Sequence, residues 1–234
     1  MAQPDSLFHT GHRQRLKEKF LDGKLTETEQ LELLLTYAIP RRDVRVLSRQ
    51  LIERFGNVYG VLHAPYSELT SIPGVGHSVA VLLKLFHELM LVSFHNRAER
   101  GKYLSDPKFR VEYCRTLLAN KPVEEIHVLY LGPDYKLLQE ETHSRGTINE
   151  TAMYVREIAH RAMNLRAVHV LLAHNHPMSN NKFSQPDIEM TNALDAALTV
   201  FGIQLLDHLL VTSNGVVHSF RETVWLDSAS FFNK

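Results

Sequence analysis

Cysteine is almost missing from this chain: Cys114 is the only one in 234 residues. A single thiol cannot close an intramolecular disulfide, and it cannot furnish a four-cysteine zinc module. Neither sign of charge is in excess. The 26 Lys and Arg balance 26 Asp and Glu, so no overall field draws the chain toward nucleic acid or an anionic membrane. No unbroken apolar run approaches the roughly 20 residues that span a bilayer. The opening stretch MAQPDSLFHT also lacks the basic and apolar regions of a secretory signal. The expectation is a cytoplasmic protein without membrane contact. Internal repeats and low-complexity tracts are missing too. What the chain does have is histidine, 14 of them. With thiol chemistry closed, imidazole becomes the ligand to search for.

The length suits two modest domains, and 44% apolar content is enough to give each a core. The two halves differ in pattern. Residues 1–95 read as a helical domain. HRQRLKEKFLDG closes on Gly23, LTETEQLELLLTYAI opens with a Thr26/Glu29 capping signal and stops at Pro40, and DVRVLSRQLIERFG ends on Gly56. Two further helices flank Pro73-Gly74-Val75-Gly76. Residues 96–107, polar and containing Gly and Pro, read as a linker. From 108 to 230 strands and helices alternate. EIHVLYL and KLLQEETH pair around GPDY, AVHVLLA is a buried strand, and IQLLDHLLVT and GVVHSF form a last hairpin.

Residues 171–187, LLAHNHPMSNNKFSQPD, hold the chemistry. A strand that runs into His174-Asn175-His176 projects both imidazoles to one side, because strand side chains repeat every two residues. Asp187, in the first turn of the next helix, can swing back over the strand end. Two imidazoles, a carboxylate and a water make the donor set of a catalytic zinc site. The same letters carry a plainer meaning, since Ser184 and Asp187 also spell a helix capping box with Pro186 in its first turn.

The spacing His174-x-His176, seven residues, Ser184-x-x-Asp187 resembles the JAMM (MPN+) metalloprotease motif. The wider wording, RGTINE, VREIAHRAMNLRAVHVLLAHNHP, SQPDIEMTNAL and LLDHLLV, resembles the RadC branch of that family. GHRQRL, LELLLTYAIPRRDV, FGNVYGVL and IPGVG extend the likeness over nearly the whole chain. One departure is visible: Pro177-Met178-Ser179 stands where the family has Pro-Ser-Gly. The resemblance implies an α+β or α/β architecture, with a small helical domain followed by a mixed-sheet JAMM/MPN domain of cytidine-deaminase-like type. It implies one Zn2+ per chain held by His174, His176 and Asp187, a Ser184 hydroxyl that stabilises an oxyanion, and a protein or peptide substrate. The proton acceptor it implies is an upstream glutamate. Glu125 matches best, Glu124 is its rival, and Glu141 and Glu150 are weaker ones. Asp207-His208 occupy the family's Asp-His position; they read as packed residues, with a role as hydrogen-bond partners of a ligand histidine as the alternative, and not as ligands.

A nucleobase deaminase would need a downstream Pro-Cys-x-x-Cys, which a one-cysteine chain lacks. The letters HNH do not make an HNH nuclease, whose residues are dispersed through a ββα element. The rival from another class is a DNA-associated protein. IPGVGHSVA resembles the hairpin of a helix-hairpin-helix module, whose amides around Gly74, Gly76 and His77 would grip a phosphate backbone without reading sequence.

Overall fold

The computed structural model describes residues 6–119, 121–144, 151–177 and 182–225. It separates into two compact units, Met1–Leu89 and Met90–Lys234.

The described part of the first unit is helical: α1 Ser6–Leu21, α2 Glu27–Ala38, α3 Arg45–Phe55, α4 Val58–His63, α5 Tyr66–Thr70, and the first half of α6 His77–Glu99. The Thr26/Glu29 signal forms a full capping box. The Thr26 hydroxyl accepts from the Glu29 amide, and the Glu29 carboxylate accepts from the Thr26 amide. Leu16, Leu31, Leu35, Leu51, Val61 and Leu69 are almost wholly buried and make the unit's apolar interior. Between α5 and α6 the chain turns sharply at Gly74, whose φ of 94° is a left-handed conformation that a side chain would strain. Val75 is buried within that turn.

The linker expected at 96–107 is shorter than its composition suggests. Helix α6 continues through Asn96–Glu99, where no Gly or Pro interrupts it, and the chain breaks only at Gly101, φ 79°. A 3-10 turn at Tyr103–Ser105 follows, and Asp106 then caps the next helix. Among the described residues, α6 alone has the length and average composition of a bilayer-crossing helix. Lys84 interrupts its apolar character. Its ammonium donates to the carbonyls of Leu62 and Ala64 at 3.4 and 3.3 Å, tying this stretch to the end of α4.

The second unit is a mixed α+β layer structure. Its strands are β1 Glu125–Leu131, β2 Leu137–Ser144, β3 His169–His176, β4 Gln204–Thr212 and β5 Val217–Ser219, in the spatial order β2-β1-β3-β4-β5. β1 runs antiparallel to β2 and β3, β3 runs parallel to β4, and β4 and β5 form the closing hairpin. One face packs on α8 (Thr151–Asn164) and α9 (Gln185–Val200). There Val128, Tyr130, Val170, Leu172 and Leu205 meet Ile158, Ala162, Met190, Leu194 and Leu198. The opposite face of β3 and β4 is covered by α7, Pro107–Leu118, with Tyr113, Cys114 and Leu118 buried. Every residue of β3 is buried, which explains why residues 170–173 read as a continuous apolar run rather than an alternating one.

Candidate metal centre

The site is built where β3 ends. Alternation along the strand sends His174 and His176 to the α8/α9 face, and both rings are buried. Helix α9 begins at the Ser184 cap, and the cap geometry turns Asp187 toward the strand end. The Asp187 Oδ2 atom accepts from the Ser184 amide at 2.7 Å and from its hydroxyl at 2.5 Å. It also lies 3.7 Å from His174 Nε2 and 3.6 Å from His176 Nε2. The plain and the chemical meanings of Ser-x-x-Asp are therefore both realised: the capping box is what aims the carboxylate. Glu124 joins the group, its Oε1 atom 4.0 Å from His176 Nε2. Ligand atoms of Glu124, His174, His176 and Asp187 all lie within 4.8 Å of one another, a cluster that could hold a metal ion.

The spacing fits one. Ligand atoms about 2.0–2.1 Å from a tetrahedral Zn2+ stand about 3.3–3.4 Å apart. The two Nε2 atoms are 3.1 Å apart, and each is 3.6–3.7 Å from Asp187 Oδ2. Imidazole nitrogens this close cannot both present lone pairs to each other, so a proton or a cation must lie between them. Burial pushes the Asp187 carboxyl up. The facing His176 and His174 rings and the two Ser184 donors outweigh it and hold the carboxyl far below its ordinary range.

Proton positions behind the cluster follow from the partners. The Thr191 hydroxyl donates to the Asp187 carbonyl at 2.6 Å, so its oxygen accepts from His208 Nδ1 at 2.6 Å. His208 Nε2 then accepts from His174 Nδ1 at 2.7 Å. This leaves the His174 Nε2 lone pair facing the cluster, the tautomer a metal requires. Asp207 points elsewhere. Its carboxylate accepts from the Ser219 hydroxyl and the Arg221 amide and braces the β4–β5 hairpin.

The two candidate glutamates lie apart. The Glu125 side chain is on the opposite face of the sheet, with Oε2 3.1 Å from His127 Nε2 and 3.3 Å from Lys121 Nζ. Burial raises its carboxyl, but the His127 hydrogen bond and Lys121 bring it below its ordinary value. Glu141 is paired with Arg161 of α8. Glu150, Met178 and Ser179 lie outside the described residues. Ser184 is beside the cluster, its hydroxyl proton committed to Asp187. Gly74, Gly76 and His77 lie in the first unit at the α5–α6 turn, where His77 Nδ1 is 2.9 Å from the Tyr66 hydroxyl. Cys114 is fully buried, and burial pushes its thiol well up, so it offers no nucleophile.

Sequence reasoning missed Thr191 and Asn175, and it ranked Glu124 second. A signal for Glu124 existed. Counted back in steps of two from the core-facing Val128 and Ile126, it shares their face, whereas Glu125 shares the face of His127, the one polar residue inside β1.

Residues 104–225 match the family model of the RadC-like JAB domain. The chain is similar to a UPF0758 protein of Fusobacterium nucleatum subsp. nucleatum, with 33% identity across 91% of this chain and 96% of the relative. It is also similar to a UPF0758 protein of Ruegeria pomeroyi, with 36% identity across 92% and 97%. A third relative, from Rhodobacter capsulatus, is 37% identical across 88% and 97%. A five-stranded mixed sheet, a buried His-x-His at its centre and a model match that spans the whole sheet agree: the chain belongs to the RadC family and carries a RadC-like JAB domain.

Proposed function

We propose that this protein is a zinc-dependent hydrolase of the JAMM type, acting on a peptide or isopeptide bond. The observation that carries the reading is the convergence of His174 Nε2, His176 Nε2 and Asp187 Oδ2, with the Glu124 carboxylate beside them. Two imidazoles and one carboxylate are the donor set of a catalytic rather than a structural zinc site. A divalent ion bound there would supply Lewis-acid polarisation of a carbonyl and a water acidified to near-neutral pKa. The side chains supply the rest. Glu124 takes a proton from the attacking water and passes it to the leaving amine, the part the family resemblance implied for Glu125. His208 and Thr191 keep His174 in its ligating tautomer, and Ser184 keeps Asp187 aimed. Because the Ser184 hydroxyl already donates to Asp187, its part in oxyanion stabilisation would require that bond to loosen.

The test is metal analysis of the purified full-length chain beside a His176→Ala variant, with cleavage of a quenched-fluorescence peptide library measured in parallel. Expected are about one zinc per wild-type chain, loss of zinc in the variant, and cleavage that a chelator stops and added zinc restores. A wild-type chain that takes up no divalent ion after zinc is supplied removes the reading.

A second reading, DNA contact by the first unit, is favoured by the α5–α6 turn. Gly74 is left-handed there, and no atom lies within 4 Å of where a Gly76 side chain would begin, so backbone amides could approach a phosphate closely. The full chain should then retard a DNA duplex at about 50 mM salt and release it as salt rises to about 200 mM. A Gly76→Glu variant should retard it less. Absence of retardation at the lower salt removes this reading.

A further inference from the structure

Antiparallel pairing between β1 and β3 stops at Ile126 opposite His174. If the ladder continued, Glu125 would face Asn175, and Glu124 would face His176. Beyond Ile126 the chain still pairs with β2, Glu125 opposite Ser144, but its pairing with β3 is not continued, so the segment that carries Glu124 has no strand partner in β3. A buried side chain takes that place. Asn175, 2% exposed, accepts the Glu125 amide on Oδ1 at 2.8 Å and donates from Nδ2 to the Val123 carbonyl at 3.0 Å. A longer contact of 3.5 Å reaches the Lys121 carbonyl.

The two short bonds bracket one residue. The Val123 carbonyl belongs to the peptide group before Glu124, and the Glu125 amide belongs to the one after it. A single planar amide therefore grips both peptide groups that flank the Glu124 Cα, as a neighbouring strand would. Below the same segment, Glu125 is tied to His127 and to Lys121, which resists rotation of the chain about this grip.

We infer that Asn175 is a positioning residue for Glu124: it fixes the backbone from which the carboxylate reaches the cluster, in place of strand pairing that has ended. The inference rests on the reading of Glu124 as the proton acceptor of a metal site. The chemistry selects asparagine. Aspartate keeps an acceptor for Glu125 but sets an oxygen against the Val123 carbonyl. Leucine matches the shape and makes neither bond. Since proton transfer needs hydrogen-bond reach, a carboxylate on a loosened backbone loses its effect without any change in the ligands.

The experiment uses the full chain loaded with cobalt(II) alone. It compares wild type, Glu124→Gln, Asn175→Asp and Asn175→Leu in three measurements: metal per chain, pH dependence of the visible spectrum, and exchange of the Glu125 amide. All four chains should bind one cobalt. Glu124→Gln should move the spectral pH midpoint. Both Asn175 variants should move it in the same direction, Asn175→Leu with loss of exchange protection at Glu125. A merely structural role would lower the melting temperature and leave the midpoint in place. If Glu124→Gln moves the midpoint and both Asn175 variants keep the wild-type value, the positioning role is wrong and the Glu124 reading survives. If Glu124→Gln itself changes nothing, Glu124 does not act at the metal and both fall together.

Discussion

Replacing Glu124 by glutamine is expected to lower hydrolytic turnover by about 10²–10⁴-fold, the usual worth of a positioned general acid–base, while zinc content stays unchanged. Replacing Glu125 by glutamine should leave most of the turnover. The contrast follows from the sheet. Glu124 Oε1 is 4.0 Å from His176 Nε2, on the face where the cluster lies, whereas Glu125 Oε2 is engaged by His127 and Lys121 on the other face. Glutamine matches glutamate in shape, so a loss confined to Glu124→Gln would isolate proton transfer from packing. The measurement is chelator-sensitive cleavage of the peptide library, with zinc per chain determined on the same samples. If Glu125→Gln abolishes cleavage and Glu124→Gln does not, the base is Glu125, as the resemblance implied.

Replacing His127 by alanine is expected to destabilise the second unit by about 3–5 kcal/mol at neutral pH, the cost of removing one partner from a buried ionic network. His127 is 3% exposed, and each ring nitrogen faces a carboxylate: Nδ1 to Glu140 at 3.0 Å and Nε2 to Glu125 at 3.1 Å. Glu140 also accepts from the Tyr113 hydroxyl at 2.5 Å. Burial raises the Glu140 carboxyl, but the hydrogen bonds from His127 and Tyr113 outweigh it and hold it below its ordinary value of 4.5. A carboxyl depressed on folding contributes stability in full above its unfolded value and loses that contribution as pH falls through the folded value. In His127→Ala the largest of the lowering causes is lost, while the Tyr113 bond and the His95 charge remain, so the share of stability that acid removes becomes smaller. Urea unfolding of the two chains across pH should give stabilities far apart at pH 7 that converge below about 4.5. A constant gap would show that His127 contributes through packing rather than through charge.

Much of both units could be read from local pattern. Short-range features carry their own signature: the Thr26/Glu29 box, the Gly23 and Gly56 helix ends, and the turn between Leu131 and Leu137 each depend on a handful of adjacent residues. The convergence of His174, His176 and Asp187 was legible for the same reason. His174 and His176 share a face by strand alternation, and Asp187 is placed by a cap three residues long. The end of α6 was not, since a polar composition reads as linker whether or not a helix runs through it. The faces on which the adjacent glutamates lie were not legible for a different reason. β1 is buried on both sides, so hydrophobic alternation, which would have shown which side each glutamate faces, is almost erased.

Local sequence thus determined the elements, the grouping of His174, His176 and Asp187, and the family resemblance, because these follow from backbone geometry repeated over a few residues. Only the tertiary structure decided what surrounds them. His208 reaches His174 from β4, 34 residues along the chain, and Asn175 grips a segment 50 residues before it. His127 comes to lie between carboxylates from β1 and β2. Contacts of that range are set by strand order and register, and no local pattern encodes those, because the same alternating strand can pair with several partners and expose the same face to each.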